Sequence, residues 1–482
     1  MRAPTRARTV GRLSFAAGLL LLGGCATLGS TLNGYATGRN GIARPQQRLR
    51  DALARGDFTA ALAWHEDDEL LRRLDVGIAS YYAAQFTRSA AVLDSAALLA
   101  DDRVTASLSK DALALVTSDL ARPYQPRRTE RLFIPYYAML SYARLEQWED
   151  AAVEARRLSS LLAQYAEGRD DRERSLHGAL HELAGAVFAR AGENDDAAVA
   201  YRAARALMPA YAARDSVPGE AGDGRARSAP PDSSMGDVLV VVERGYVAHR
   251  VTETMELELG GRDRDSVRVP DGGWNVAHGM TQVPGGPLAA PTYVPVRSHH
   301  VDRDDDDDYH MTIAFPGLRS SSRPWGATVR AGAPGETPGI IGVVAHVDDA
   351  TAADAQRELG AIITRAAARA AAKYAVVKAV RDKKGDVAGT LANLGASLLE
   401  RADVRSWHLL PSELTLVRLR LPAGPQHVTL RIGEGVQTRT VDAGTVLVRA
   451  GSVTVAPVRL WQTPQANDAA PIAPPDSSQP RP

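Results

Sequence analysis

Two patterns of apolar and polar positions divide the chain. From about residue 45 to 211, apolar residues recur at helical spacing in paired amphipathic segments of similar length. Beyond residue 235, short segments alternate apolar and polar positions, and 238–242 is a continuous apolar run that predicts a buried strand. The interval 354–401 returns to helical spacing, with a break at Gly385. These patterns predict an α+β multidomain chain, with a helical repeat region followed by a small antiparallel β-sandwich-like domain that carries a helical insertion.

The helical region repeats a unit of two helices. Its best copy is 178–211, where Gly185 and Ala197 fall at the spacing of the tetratricopeptide repeat (TPR) consensus. Only small residues fit where the two helices of such a hairpin press together. Further copies run from about 70 to 101 and from about 133 to 163. We therefore expect a TPR-like α-solenoid, with a generic helical bundle as the alternative.

Changes of composition indicate where the domains begin and end. Stretches rich in Gly, Pro, Ser and Asp, without periodic apolar positions, are typical of linkers and tails. The predicted order is a signal peptide over 1–25, a tether over 26–44, the helical repeat region over 45–215, a linker over 216–235, the β-domain over 236–461 with its helical insertion over 354–401, and a disordered tail over 462–482.

The first 25 residues resemble the signal peptide of a bacterial lipoprotein. Four arginines precede an apolar run that is too short to cross a bilayer core of about 30 Å. Small residues then lead into Cys25, in the string Leu-Gly-Gly-Cys-Ala that resembles a lipobox. Cys25 is therefore the predicted lipidation residue, and Ala26 after it favours the outer membrane, facing the periplasm. The alternative is an ordinary secretory signal in which Cys25 stays unmodified.

Composition excludes several classes of function. Lys plus Arg and Asp plus Glu both number 57, so no basic excess points to nucleic acid. Cys25 is the only cysteine, which excludes disulfides and thiolate metal sites from the exported body. With 45% hydrophobic residues, the chain can bury sizeable cores.

A search for catalytic chemistry finds no motif. The chain lacks the serine-hydrolase elbow, the phosphate-binding loop, the His-Glu-Xaa-Xaa-His metal helix and the dinucleotide fingerprint. Histidines and aspartates do cluster at 299–310, and imidazole and carboxylate are metal-binding groups. The cluster lacks the spacing of a known metal loop, and a dense run of carboxylates is typical of a solvated segment. The sequence therefore predicts a protein that is not an enzyme and that has no metal and no cofactor.

One string near the β-domain resembles a known family. Residues 401–411, which contain Arg-Ser-Trp and Leu-Pro, are similar to a motif of uncharacterised TPR-containing bacterial lipoproteins, and 136–157 and 242–247 resemble two other signatures of that family. This chain departs from the pattern at Val404, where Thr is usual, and in an expanded loop over 261–310. The resemblance implies a lipid anchor, a helical repeat region and a β-domain, without an established activity. Some members occur beside lipoproteins that activate peptidoglycan synthases.

Within that motif, Trp407 allows two interpretations. It could form a surface cation–π contact with Arg405. The favoured alternative is that Trp407 fills the core where helix gives way to strand, with Asp403 and Arg405 paired.

These observations favour a membrane-anchored lipoprotein of the cell envelope that acts as a protein-binding scaffold or adaptor. Stacked helical hairpins form a concave groove, and Tyr136, Tyr137 and Tyr142 are the candidate aromatic residues that contact a protein partner there, with core packing the favoured role for at least one of them. One alternative is a metal-dependent envelope hydrolase that uses 299–310. Another is a surface lipoprotein with a purely structural role.

The anchor is directly testable. Cys25→Ala should leave the protein without lipid and release it from the membrane fraction, because several acyl chains hold a lipoprotein in place at about 0.8 kcal/mol per buried CH₂. Fractionation of cells that express the parent and the variant measures this. Recovery of the variant entirely with membranes would contradict the assignment of Cys25.

Overall fold

The structure is a computed structural model that describes residues 42–108, 122–209, 234–259, 267–268, 309–320, 328–332, 340–384, 402–433, 438–461 and 469–470. Nine α-helices lie in this part of the chain. They are α1 (Arg44–Ala54), α2 (Phe58–Leu62), α3 (Glu69–Tyr82), α4 (Phe86–Leu108), α5 (Arg128–Arg144), α6 (Trp148–Gln164), α7 (Arg174–Ala191), α8 (Asn194–Leu207) and α9 (Val347–Lys384).

Twelve strands lie in the same described ranges, seven before α9 and five after it. They are β1 (Met235–Arg244), β2 (His249–Leu259), β3 (Val267–Arg268), β4 (Tyr309–Arg319), β5 (Val329–Gly332), β6 (Ile340–Ile341), β7 (Val343–His346), β8 (Glu413–Pro422), β9 (Gly424–Ile432), β10 (Arg439–Val448), β11 (Val453–Leu460) and β12 (Ala469–Ala470). The combination of helices and sheets confirms the predicted α+β class. Within the described ranges, no helix is long and apolar enough to cross a membrane.

Helices α1 to α8 form four helical hairpins, and the two helices of each hairpin are joined by the same type of turn. At each turn a residue adopts left-handed φ: Gly56 (71°), Ala84 (57°), Glu146 (59°) and Gly192 (85°). The N–H of that residue donates to the carbonyl three residues earlier, and the next N–H donates to the carbonyl five residues earlier. This pattern satisfies the last carbonyls of the first helix and reverses the chain. The second helix begins two residues after each left-handed residue.

Small residues lie where the two helices of a hairpin meet. A Cβ added at Gly185 would come within 2.7 Å of the Tyr201 ring, and one added at Gly77 within 2.5 Å of the Leu93 side chain. Ala197 is fully buried five residues after its turn. The predicted position of Gly185 at the helix contact is therefore confirmed, and the burial of Ala197 agrees with its predicted position. The third hairpin carries Met139 at the position of Gly185, also fully buried, so its helices are spaced by a larger side chain.

The strands form three sheets. The five-stranded sheet has the order β12-β11-β1-β8-β7, the four-stranded sheet β10-β9-β5-β6, and the three-stranded sheet β3-β2-β4. β1 runs antiparallel to β8 but parallel to β11, with Asp237 opposite Val453 and Arg244 opposite Leu460. The prediction of a purely antiparallel domain is wrong at this pair. β1 and β11 are distant in sequence and no tight hairpin joins them, so nothing forces them into opposite directions.

The five-stranded sheet has a packed layer on each face. Val238, Val240 and Val242 of β1 face the four-stranded sheet, and the two sheets enclose an apolar cluster between them. Leu239 and Val241, on the opposite face, join a second cluster with the helices of the hairpins. The layers are therefore helices, five-stranded sheet and four-stranded sheet. The predicted buried strand at 238–242 is confirmed, since all five residues are fully buried.

Helix α9 corresponds to the predicted insertion but begins at Val347, before the predicted boundary at 354. Asp348 and Asp349 lie in its first turn, where carboxylates favour helix formation through the helix dipole. The described helix ends at Lys384, directly before Gly385, and the predicted second helix up to 401 lies outside the described residues.

The hairpin contact gives a test of the helix register. Ala197→Leu should overpack the contact between α7 and α8 and lower the free energy of unfolding by about 1–3 kcal/mol. Ala198→Leu is the matched control, because Ala198 is only partly buried on the same helix and should cost much less. Urea melts of the chain without its first 25 residues measure both. Equal destabilisation by the two variants would show that the contact is not at Ala197.

Candidate functional site

A buried polar cluster lies where the hairpins meet the five-stranded sheet. Its centre is Glu243, near the end of β1 and fully buried. The hydroxyl of Tyr82 on α3 donates to Oε2 of Glu243 at 2.5 Å, and the hydroxyl of Tyr136 on α5 donates to Oε1 at 2.9 Å. The hydroxyl of Tyr137 lies 3.1 Å from that of Tyr82. Burial and then the charge of Glu243 raise the pKa values of these three tyrosines well above the ordinary value. The tyrosines are therefore neutral hydrogen-bond donors.

Arg459 completes this cluster from the neighbouring strand. It lies opposite Glu243 in the parallel pair of β1 and β11. Its guanidinium lies 4.5 Å from the centre of the Trp461 ring and 5.4 Å from that of Tyr246, and it donates to the carbonyl of Gly245 at 2.6 Å. Burial alone would lower the pKa of Arg459, but neighbouring tyrosines and Glu243 raise it above its ordinary value. The arginine therefore stays charged inside the molecule, balanced by the carboxylate and by ring faces.

The Arg-Ser-Trp motif forms a second junction. Trp407 is fully buried, and its backbone N–H donates to Oε1 of Glu130 at 2.7 Å. The guanidinium of Arg405 bonds both carboxylate oxygens of Asp403 at 2.8 Å and the carbonyl of Arg122 at 2.7 Å. The interpretation of Trp407 as a core residue beside an Asp403–Arg405 pair is confirmed. The motif is therefore bonded to α5 through Glu130 and to the segment before α5 through Arg122.

A small cavity lies beside Trp407. Its volume is about 20 Å³, which is room for a single water molecule. Charged side chains line part of the wall, among them Arg127, Arg250 and Asp354. Glu358 bridges the two arginines, at 3.3 Å from Arg127 Nε and 2.6 Å from Arg250 Nη2. Burial raises the pKa of Asp354 to about 6, and the carboxyl accepts the N–H of Thr129 at 2.8 Å. A cavity of this size cannot hold an organic substrate.

The predicted site residues differ in how far they are buried, and some of them lie outside the described residues. Tyr136 and Tyr137 are fully buried against Glu243, so they do not line an open groove, and their predicted contact with a partner does not fit this placement. Tyr142 is partly buried, and its hydroxyl donates to Asp94 at 2.6 Å. Cys25 lies outside the described residues, as do 299–308 of the His/Asp cluster. In the described ranges, no group of three or more His, Cys, Asp or Glu is arranged to hold a metal ion.

The sequence search did not single out Glu243 and Arg459. Each is a charged residue inside an apolar strand, in the strings Val-Val-Val-Glu-Arg and Val-Arg-Leu-Trp. Charged residues are rarely buried unless they are paired, so their position in strands predicted to be buried was the available signal. Their position opposite each other on neighbouring strands could not be read from the sequence, because 216 positions separate the two residues.

The outer surface of the hairpins carries exposed apolar side chains. Within the described ranges, four large hydrophobic residues are more than half exposed: Leu98, Val153, Val199 and Leu447. The first three lie on α4, α6 and α8, the second helices of consecutive hairpins. Val153 and Val199 each follow the left-handed turn residue by seven positions, so they occupy the same place in successive hairpins.

Comparison of the chain with known proteins identifies no similar protein. No protein-family model matches the chain, and neither a curated protein nor a solved structure is significantly similar to it. The resemblance to TPR-containing lipoproteins therefore stays a prediction.

The buried cluster gives a test that separates a packing role from a binding role. Tyr136→Phe leaves Oε1 of Glu243 without this donor and should lower the free energy of unfolding by about 1–3 kcal/mol. Tyr142→Phe, whose hydroxyl is nearer the surface, should cost less. Thermal or urea melts of both variants measure this. An unchanged stability of Tyr136→Phe, together with weakened partner binding, would restore Tyr136 as a binding residue.

Proposed function

We propose that this protein is a lipid-anchored lipoprotein of the cell envelope that serves as a scaffold for protein partners, which bind the outer face of its TPR-like hairpins. The anchor is Cys25, and the membrane is the outer membrane, facing the periplasm. We choose the outer face because exposed Val153 and Val199 recur at the same place in successive hairpins.

The common geometry of the hairpins supports a TPR-like solenoid. Consecutive turns share one left-handed residue and one hydrogen-bond pattern, and buried small residues recur five positions after the turn, at Ala61, Ser89, Ala151 and Ala197. Units with the same internal contacts stack through similar faces, which is the basis of a repeat array.

The inner face of the hairpins is occupied by the protein's own sheet. Tyr82 on α3 contacts the Trp461 ring at 4.6 Å between centres, Tyr136 on α5 bonds Glu243, and Arg418 of β8 pairs with Glu182 on α7. A concave surface that is filled in this way cannot also take a partner without unpacking the core. We therefore place the proposed binding surface on α4, α6 and α8, and not on α5, which carries Tyr136, Tyr137 and Tyr142.

The outer face has the character of a modest protein-binding surface. Val153 and Val199 are surrounded by exposed charged residues, and Arg156 of α6 pairs with Glu193 before α8 at 2.5 Å. Apolar side chains rimmed by polar ones are typical of protein contacts. A lipid anchor confines the scaffold and its partners to one membrane surface, so an interface of limited affinity is enough there.

The alternative of a metal-dependent hydrolase depends on 299–310. His310 lies in β4, opposite Glu258 of β2, and 299–308 lie outside the described residues. No contact in the described ranges favours this alternative over a scaffold.

The test combines Val153→Glu with Val199→Glu in the lipidated protein. Because both side chains are more than half exposed, the pair should leave stability unchanged and reduce the recovery of cross-linked envelope proteins by tenfold or more. Leu447→Glu is the matched control, since Leu447 is equally exposed but lies on β10. Affinity purification after cross-linking in cells measures recovery. If the double variant retains every partner that the parent captures, the outer face is not the binding surface.

A further inference from the structure

The charge of the chain is uneven at its start. The whole chain is balanced, yet the first acidic residue is Asp51, and 26–50 contain four arginines and no Asp or Glu. These arginines are Arg39, Arg44, Arg48 and Arg50. A basic, acid-free stretch of this kind lies directly between the proposed lipid on Cys25 and the folded body.

Helix α1 and its C-cap residue Arg55 present three arginines on one exposed face. Arg44, Arg48 and Arg55 are spaced by four and seven positions, which places them within a narrow arc of the helix. All three are exposed, and within the described part of the chain none forms an ion pair with an acidic side chain. Asp51, the acidic residue of α1, lies beside this arc, is half-buried and accepts a hydrogen bond from Gln47 at 2.8 Å, so the three arginines outnumber one carboxylate on this face.

The opposite face of α1 is fixed to the body, so the direction of the arginine face is fixed too. Arg50 is buried and donates to the carbonyl of His408 at 2.6 and 3.1 Å. The hydroxyl of Tyr246 donates to the carbonyl of Arg50 at 2.7 Å. Leu49 and Leu53 are buried in the shared helix–sheet core. α1 therefore cannot turn its arginines away without detaching from the sheet.

The length of the tether limits the distance between this face and the lipid. The chain between Cys25 and Ile42, the first described residue, is 26–41. A chain of that length spans at most roughly 55 Å even when it is fully extended. Ile42 is itself buried, so the tether meets the body at one defined point, next to Arg44.

We propose that the face of α1 formed by Arg44, Arg48 and Arg55 binds the anionic phospholipid headgroups of the membrane that holds the lipid anchor. This proposal rests on the proposed anchor at Cys25. Guanidinium groups pair with phosphate through two parallel hydrogen bonds, and basic residues beside a membrane add to the binding of an anchor. Contact through α1 orients the body on the bilayer and keeps the outer faces of α4, α6 and α8 accessible to a partner.

The test uses the chain from residue 26 to 482, which carries no lipid. Co-sedimentation at low ionic strength compares phosphatidylcholine vesicles with vesicles that contain about 30% phosphatidylglycerol, and the parent should bind only the anionic ones. The triple variant Arg44→Gln, Arg48→Gln and Arg55→Gln should lose affinity by tenfold or more. The matched control replaces Arg88, Arg174 and Arg202, three exposed arginines of the other hairpins, with Gln. It should bind within about twofold of the parent.

Equal binding to both vesicles, no binding by the parent, or an equal loss in the control variant would each overturn the proposal. A melting curve of the triple variant should match the parent, because the replaced side chains are exposed. Since this chain has no acyl group, the outcome does not depend on Cys25. Fractionation of Cys25→Ala tests the anchor separately, and the two results can fail independently.

Discussion

Strand β1 is buried on both of its faces, so neither layer that covers it can be removed without exposing apolar side chains. Its residues alternate between the helical layer and the four-stranded sheet, and each layer covers apolar side chains that the other leaves open. Loss of either layer would expose a row of Val or Leu at about 25 cal/mol per Å² of apolar surface. The helical hairpins and the sheets are therefore energetically one unit, although composition alone suggests separate domains. The domain boundaries inferred from composition stay predictions, but the apolar core crosses them.

Charged side chains join the layers where apolar packing ends. Arg50 donates to the carbonyl of His408, and the carboxylate of Glu130 accepts the N–H of Trp407. The carboxylate of Glu243 accepts hydrogen bonds from tyrosine hydroxyls of two helices. Each of these groups would carry a large desolvation cost if it were left unpaired. They therefore specify how the hairpins sit on the sheet more than they add stability, because a shifted arrangement would leave buried charges without partners. The segment over 402–412 is held from several sides at once.

This arrangement limits where function can lie. Helical repeat proteins usually bind a partner on their concave face, but the inner face of these hairpins is filled by the protein's own strands. Within the described residues, the outer helices and the basic face of α1 remain open on the helical side. We propose contact with a protein for the first surface and with lipid headgroups for the second. A rigid body between them would hold bound partners at a defined position relative to the membrane.

The local features of this fold follow from short-range patterns in the chain. Helical spacing predicted the hairpins, small residues at Gly185 and Ala197 predicted where their helices touch, and the run at 238–242 predicted a buried strand. These features follow from the shape and polarity of neighbouring residues. Long-range contacts in the folded protein determine the parallel pairing of β1 with β11, the proximity of Glu243 to Arg459, and the burial of Tyr136 and Tyr137. Tyrosines in an amphipathic helix look the same from the sequence whether a partner or the chain itself covers them. What covers them is set by contacts between residues more than a hundred positions apart, which no local pattern records.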